Sequence, residues 1–199
     1  MALQRLRDFD PNYRDYFGEH DVTGYDLYSG NDKVGTVEDL LVDENGQFRY
    51  FIVNTGLWIF GKKVLLPVGQ TRISFDERRL YANGLTRDQV ENLPAYDENS
   101  TVDYDYEEQV RGGYRSNRMD TAGMTGAAAT SAAYDRNTYS YDRDPDLFNL
   151  NERDHQNLRL YEERLVANKT RQKTGEVAVG KRVESERANV EVHSKKKEW

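Results

Sequence analysis

The dipeptide Asn45-Gly46 constrains this chain more than any other pair of residues. Both residues tolerate the positive φ that a tight hairpin turn demands, and Asn-Gly between apolar runs is the strongest short hairpin signal. The flanks agree. Thr36 to Val42 is one apolar run, and Phe48 to Val53 is its return, rich in the β-branched and aromatic residues that suit a half-buried pleated surface. An apolar loop bracketed by glycines follows, Gly56-Leu57-Trp58-Ile59-Phe60-Gly61, then Lys62-Lys63 and a strand Val64 to Leu66 stopped by Pro67. Upstream, Asp21 to Tyr28 reads as a strand, Ser29 to Asp32 as a turn, and Lys33 to Val37 as the opening of the next strand. Downstream, Arg72 to Phe75 and Leu80 to Ala82 read as a last hairpin. Short strands divided by turn signals predict a mainly β fold, a small antiparallel barrel or sandwich. Thr86 with Gln89 forms a capping box, so a short helix starts there and ends before Pro94.

Not all of the 199 residues can share one core, because 32% are charged. The expected units are an N-terminal extension (1–20), a barrel (21–96), a linker (97–150) and a short C-terminal β-repeat (151–199). In the extension, Tyr13, Tyr16 and Phe17 fall on one helical face. They pack on the barrel or form a docking peptide. The linker carries a net charge of −6 and few aliphatic residues, and such a segment buries too little to offset its ordering entropy. It is expected to be a long disordered, Tyr-rich tether. In the last unit, Leu158 to Lys169 reads as a strand and Gln172 to Gly175 as a turn. Val177, Val179 and Val183, then Val190 and Val192, read as two more strands. Three short strands are marginal alone, and their free edges invite self-association.

Charge and composition also exclude functions. The net charge is −7, which disfavours general nucleic-acid binding, since phosphate contacts dominate that affinity. The chain has no cysteine, which removes disulfides, thiolate metal sites and thiol nucleophiles. MALQRLRDFD lacks the apolar centre of a signal peptide, and no run reaches the roughly 18 apolar residues of a membrane span. His20, His155 and His193 are scattered, no phosphate-binding Gly loop is present, and Glu38, Asp39, Asp43 and Glu44 read as a solvated rim. No catalytic, metal or cofactor site is expected. The best surface site is Trp58, Ile59 and Phe60 with Lys62 and Lys63, extended by Arg49 and Tyr50. Large rings beside two lysines could dock a protein or sit at a membrane interface, or the rings could cap the barrel.

The run GYDLYSGNDKVGTVEDLLVD, then FRYFIVNTG, then KKVLLPVGQ resembles the PRC-barrel domain over about Asp21 to Tyr96. That family includes the cytoplasmic domain of the photosynthetic reaction-centre H subunit and the C-terminal domain of the ribosome-maturation factor RimM. The segments WIFGKKVLLP and LTRDQVENLP resemble cyanobacterial and other bacterial members. LYEERLVANK, TGEVAVGKRV and NVEVH resemble one repeat of the YsnF/AvaK (DUF2382) domain over about Leu158 to Lys197. The resemblance implies a non-enzymatic adaptor or assembly protein, stress-related and cytoplasmic or peripheral on a thylakoid or inner membrane. It would bind a protein complex through its barrel and form homo-oligomers through the C-terminal repeat. A RimM-like RNA- or ribosome-associated factor and a self-associating stress protein are the alternatives.

Overall fold

A computed structural model describes residues 3–121, 137 and 139–177. Seven strands form one sheet: β1 (Gln4–Arg5), β2 (Asp26–Ser29), β3 (Asp32–Val42), β4 (Phe48–Asn54), β5 (Lys63–Pro67), β6 (Thr71–Ser74) and β7 (Arg79–Ala82). The order is β5-β4-β3-β2-β7-β6, with β1 added against the far end of β3. The Asn45-Gly46 turn joins β3 to β4 as expected, with Gly46 at φ 84°. All neighbours are antiparallel except β2 and β7, which run parallel because the last hairpin folds back onto the first strand. The outermost strands β5 and β6 are joined only by a 3-10 turn, Val68–Gln70. A sheet whose two margins are so closely connected must curl into a barrel. Register shifts at Leu27/Tyr28, Val37/Asp39 and Leu41/Val42 supply the curvature.

The margin of β5 is closed locally. Tyr96 N–H donates to Lys63 O (2.7 Å) and the Tyr114 hydroxyl donates to Leu65 O (2.8 Å).

In β4 the residues Tyr50, Phe51, Ile52 and Val53 are all buried, so both faces of the sheet are covered there. The second layer comes from segments outside the barrel strands. Helices α1 (Leu6–Phe9) and α2 (Arg14–Phe17) bring Leu6, Tyr13 and Phe17 into the core, so the N-terminal rings pack on the barrel. Helix α3 (Arg87–Asn92) starts at the expected cap, where Thr86 Oγ1 accepts from Gln89 N–H (3.2 Å). The Gln89 side chain donates from Nε2 to Gly113 O of α4 at 3.4 Å.

Two expectations are corrected. The segment expected to be a disordered linker contains helix α4 (Tyr104–Thr121) and helix α5 (Pro145–Phe148). Glu107, Val110, Arg111 and Tyr114 make a buried stripe at i, i+3, i+4 and i+7, and Leu147 and Phe148 are buried too. Half of that stripe is charged, so a count of aliphatic residues misses it. Gly69 fits this docking, since a Cβ there would lie 2.7 Å from the backbone of Asp146 and Leu147. Tyr134, another of the linker tyrosines, lies outside the described residues.

The strand expected at Leu158 to Lys169 and the turn at Gln172 to Gly175 are instead part of helix α6 (Glu152–Val177). Leu158, Tyr161 and Leu165 are buried at i, i+3 and i+7, a helical period that outweighs the strand-like look of the run. Tyr161 stacks on Phe17 (4.2 Å between centroids), and Glu162 Oε2 accepts from Phe48 N–H (2.8 Å). Near the other end, Lys169 Nζ donates to Glu44 O in the β3–β4 turn. Of the strand expected at Val177, Val179 and Val183, Val177 is instead the last residue of α6, and the remainder lies outside the described residues, as does the strand expected at Val190 and Val192.

Candidate docking loop

The loop between β4 and β5 is held from within. Thr55 N–H donates to Lys62 O (3.0 Å), Trp58 N–H to Thr55 O (3.0 Å) and Lys62 N–H to Ile59 O (3.0 Å). Thr55 Oγ1 also donates to Lys62 O (2.6 Å), and Asn54 Oδ1 accepts from Gly56 N–H (2.9 Å). Ile59 is buried and Trp58 packs partly on the core, so these two side chains pin the loop. Leu57 and Phe60 point away, at 100% and 93% exposure. Phe60 has φ 48°, a left-handed conformation unusual for a bulky residue.

The two lysines do not flank the tip. Lys62 Nζ donates to Val90 O (3.0 Å) and Glu91 O (2.8 Å), carbonyls near the C-terminal end of α3. Lys63 Nζ lies between Glu38 (2.8 Å) and Glu98 (3.0 Å), and its hydrogen bond to Glu38 raises its pKa. Both lysines anchor the base of the loop. Beside it runs a groove of about 610 Å³ lined by Lys33, Val34, Gly35, Thr36, Leu57 and Trp58, with Glu38 and Asn54 also on its wall.

Arg49 and Tyr50 belong to a different place. The Arg49 guanidinium donates to Asp43 (3.0 and 2.8 Å) and lies 3.8 Å from the Tyr141 ring centroid. Tyr50 is wholly buried, and its hydroxyl donates to Glu107 Oε1 (3.0 Å). Burial holds this phenol well above its usual range. The structure thus separates the expected patch into an exposed tip, an ion-paired base and an interior cluster.

That cluster is the part sequence reasoning missed. Arg111 is fully buried, 3.6 Å from Glu107 and 3.4 Å from Asp144, and it donates to Ser140 O at 2.9 Å. Its guanidinium lies over the rings of Tyr139, Tyr141 and Phe148. Burial raises the Glu107 carboxyl above its usual range, and Arg111 opposes that shift. Arg115 holds Asp144 in a two-point contact (2.7 and 2.6 Å). The one legible signal was Glu107 and Arg111 at helical i, i+4 spacing.

Among the described residues no group of three or more His, Asp or Glu side chains could hold a metal ion, and no helix is long and apolar enough to cross a membrane. His155 is buried in the first turn of α6, and His193 lies outside the described residues.

The class defined by this architecture is mainly β: a small curled barrel with a helical second layer and an apolar loop on its surface. Residues 14–100 match the family model of the PRC-barrel domain, and the matched stretch holds strands β2 to β7. Residues 158–198 match a domain of unknown function, DUF2382, and the first twenty of them lie in α6. An uncharacterized protein of Deinococcus radiodurans is 36% identical over 170 residues, which is 84% of this chain and 52% of that protein. The chain therefore spans about half the length of the curated relative it matches.

Proposed function

We propose that this protein is a non-enzymatic docking module that presents Leu57 and Phe60 to a protein partner. One observation carries the reading: two large apolar side chains stand almost fully exposed on a loop whose own backbone hydrogen bonds hold its shape. A held loop costs little entropy on binding, and apolar anchors of this kind contribute most of the energy of an interface. The inward engagement of Lys62 by backbone carbonyls and of Lys63 by two carboxylates favours a protein over an anionic membrane, because both ammonium groups are turned away from the tip.

The test is a cross-linked pull-down of the full-length protein from its own cells, with soluble and membrane fractions kept apart, beside the variant Leu57→Ser/Phe60→Asn. Both positions are exposed and Asn tolerates positive φ, so the variant should melt like the wild type. Loss of a protein partner from the well-folded variant supports the reading. Retention of every partner refutes it.

A further inference from the structure

Helix α6 is broken one turn from its start. His155 has φ −134° and ψ 19°, outside the helical range, and its imidazole is fully buried against the barrel. Its hydrogen bonds fix the ring proton. Nδ1 accepts from Asn151 N–H (3.2 Å), so the hydrogen sits on Nε2, 3.4 Å from Thr71 Oγ1, and the Thr71 hydroxyl donates its own hydrogen to Val68 O (2.7 Å). Asn151 in turn caps the helix, its Oδ1 accepting from Asp154 N–H (2.7 Å). The neutral imidazole satisfies this whole chain of contacts. A second proton, on Nδ1, would face the Asn151 N–H, and its charge would sit out of water at the positive end of the helix dipole. Thr71 and Val68 face the ring from the barrel and carry no charge, while Asp154 on α6 is an acidic group that favours the imidazolium.

Beyond this first turn α6 is held lightly. Among the described residues its buried apolar side chains are Leu158, Tyr161 and Leu165, with Leu160 and Val166 facing out. A segment with so few buried contacts opens at a free energy below that of global unfolding. We infer that α6 is an acid-released cover: a proton on His155 Nδ1 breaks the first turn, and the helix then leaves the face of Phe17 and Phe48 open while the barrel stays folded. The inference goes beyond the docking reading and does not depend on it. Glu162 acts in the opposite sense. Burial holds its carboxyl above the usual range, with Arg49 and Asp43 of the barrel also acting on it, so the closed state takes up a proton there as pH falls and resists release. An imidazole that takes its proton only in the open state, at the ordinary pKa of roughly 6.5, raises the open fraction by up to about tenfold between pH 7.5 and 5.5.

The chain has no cysteine, so one introduced thiol reports exposure without background. The test is the rate at which Leu165→Cys in the full chain reacts with a dithiopyridine reagent at these two pH values. Val166→Cys, exposed on the same helix, corrects for thiol ionisation, and Val110→Cys, buried on α4, reports global unfolding. The corrected Leu165→Cys rate should rise by about twofold to tenfold on acidification, the Val110→Cys rate should not, and adding His155→Gln should remove the rise. A smaller rise, an equal rise at Val110→Cys, or a rise that survives His155→Gln while His20 remains 6.2 Å from Tyr161 overturns the inference. If His155→Gln reacts fast at both pH values, the imidazole proton resonance of His155 in the otherwise wild-type chain decides. Titration over the pH range of the release supports the inference, and titration elsewhere overturns it.

Discussion

Replacing Glu107 by Leu puts the second layer of the fold to a quantitative test. Glu107 and Arg111 are 1% and 0% exposed, and they sit between α4 and the Tyr50 hydroxyl of β4. Glu107→Leu leaves the guanidinium buried with Asp144 at 3.4 Å and strips Tyr50 of its acceptor. Breaking a buried ion pair from one side costs about 3–5 kcal/mol. Arg111→Met strands the carboxylate in the same way and should cost about as much. Removing both charges together avoids the stranded ion, so the double variant should be more stable than either single one. Its remaining cost is the unpaired Tyr50 hydroxyl, about 1–3 kcal/mol, and adding Tyr50→Phe should recover most of that. The measurement is urea unfolding of the full chain, comparing midpoints at constant slope. The cycle should give a coupling of at least about 3 kcal/mol, at the upper end of what contacting residues show. Single variants that each shift stability by less than about 0.5 kcal/mol, the usual range for surface positions, would refute the reasoning. In that case α4 would not be docked on the barrel in solution, and the segment would behave as a solvated tether.

Two further outcomes follow from other parts of the fold. Burial lowers the pKa of His155, whose Nδ1 accepts from Asn151 N–H (3.2 Å) and whose Nε2 lies 3.4 Å from Thr71 Oγ1. The unfolded chain then binds more protons, so stability is full above the ordinary imidazole pKa of roughly 6.5 and is lost as pH falls toward the lowered folded value. Urea midpoints at pH 7.5 and 5.5 should differ more for wild type than for His155→Gln, and parallel shifts would dismiss the role of this imidazole. Gly69→Ala places a Cβ against the backbone of α5, which cannot yield like a side-chain tip. It should destabilise by about 1–3 kcal/mol, and an unchanged urea midpoint would show that α5 does not rest there.

The barrel was legible because its signals are local. Asn45-Gly46 sets the β3–β4 turn, Pro67 ends β5 and Thr86 caps α3, each through one residue's own backbone preference. The helical layer was not legible by the same means. Val110 and Tyr114 share their stripe with Glu107 and Arg111, which look like surface charges until partners 29 to 57 residues away are in place. Leu158, Tyr161 and Leu165 carried a helical period, but the neighbouring Leu160 and Val166 are apolar and exposed, which blurred it toward a strand. At the loop, sequence reasoning found the apolar cluster but not which members face out. In a loop this tight, Leu57 and Phe60 share the outer side while Trp58 and Ile59 turn inward.

The stack of Tyr161 on Phe17, with its accompanying hydroxyl contact, joins residues 144 apart along the chain. The ribosome therefore delivers the two halves of this contact at very different times. Phe17 and Phe48 emerge early, and the helix that covers them is completed only after residue 161 has been added. At typical synthesis rates of 5–20 residues per second, that apolar face waits about 6–20 s for its lid. A chain stopped before residue 161 is therefore expected to leave Phe17 and Phe48 without the helix that covers them.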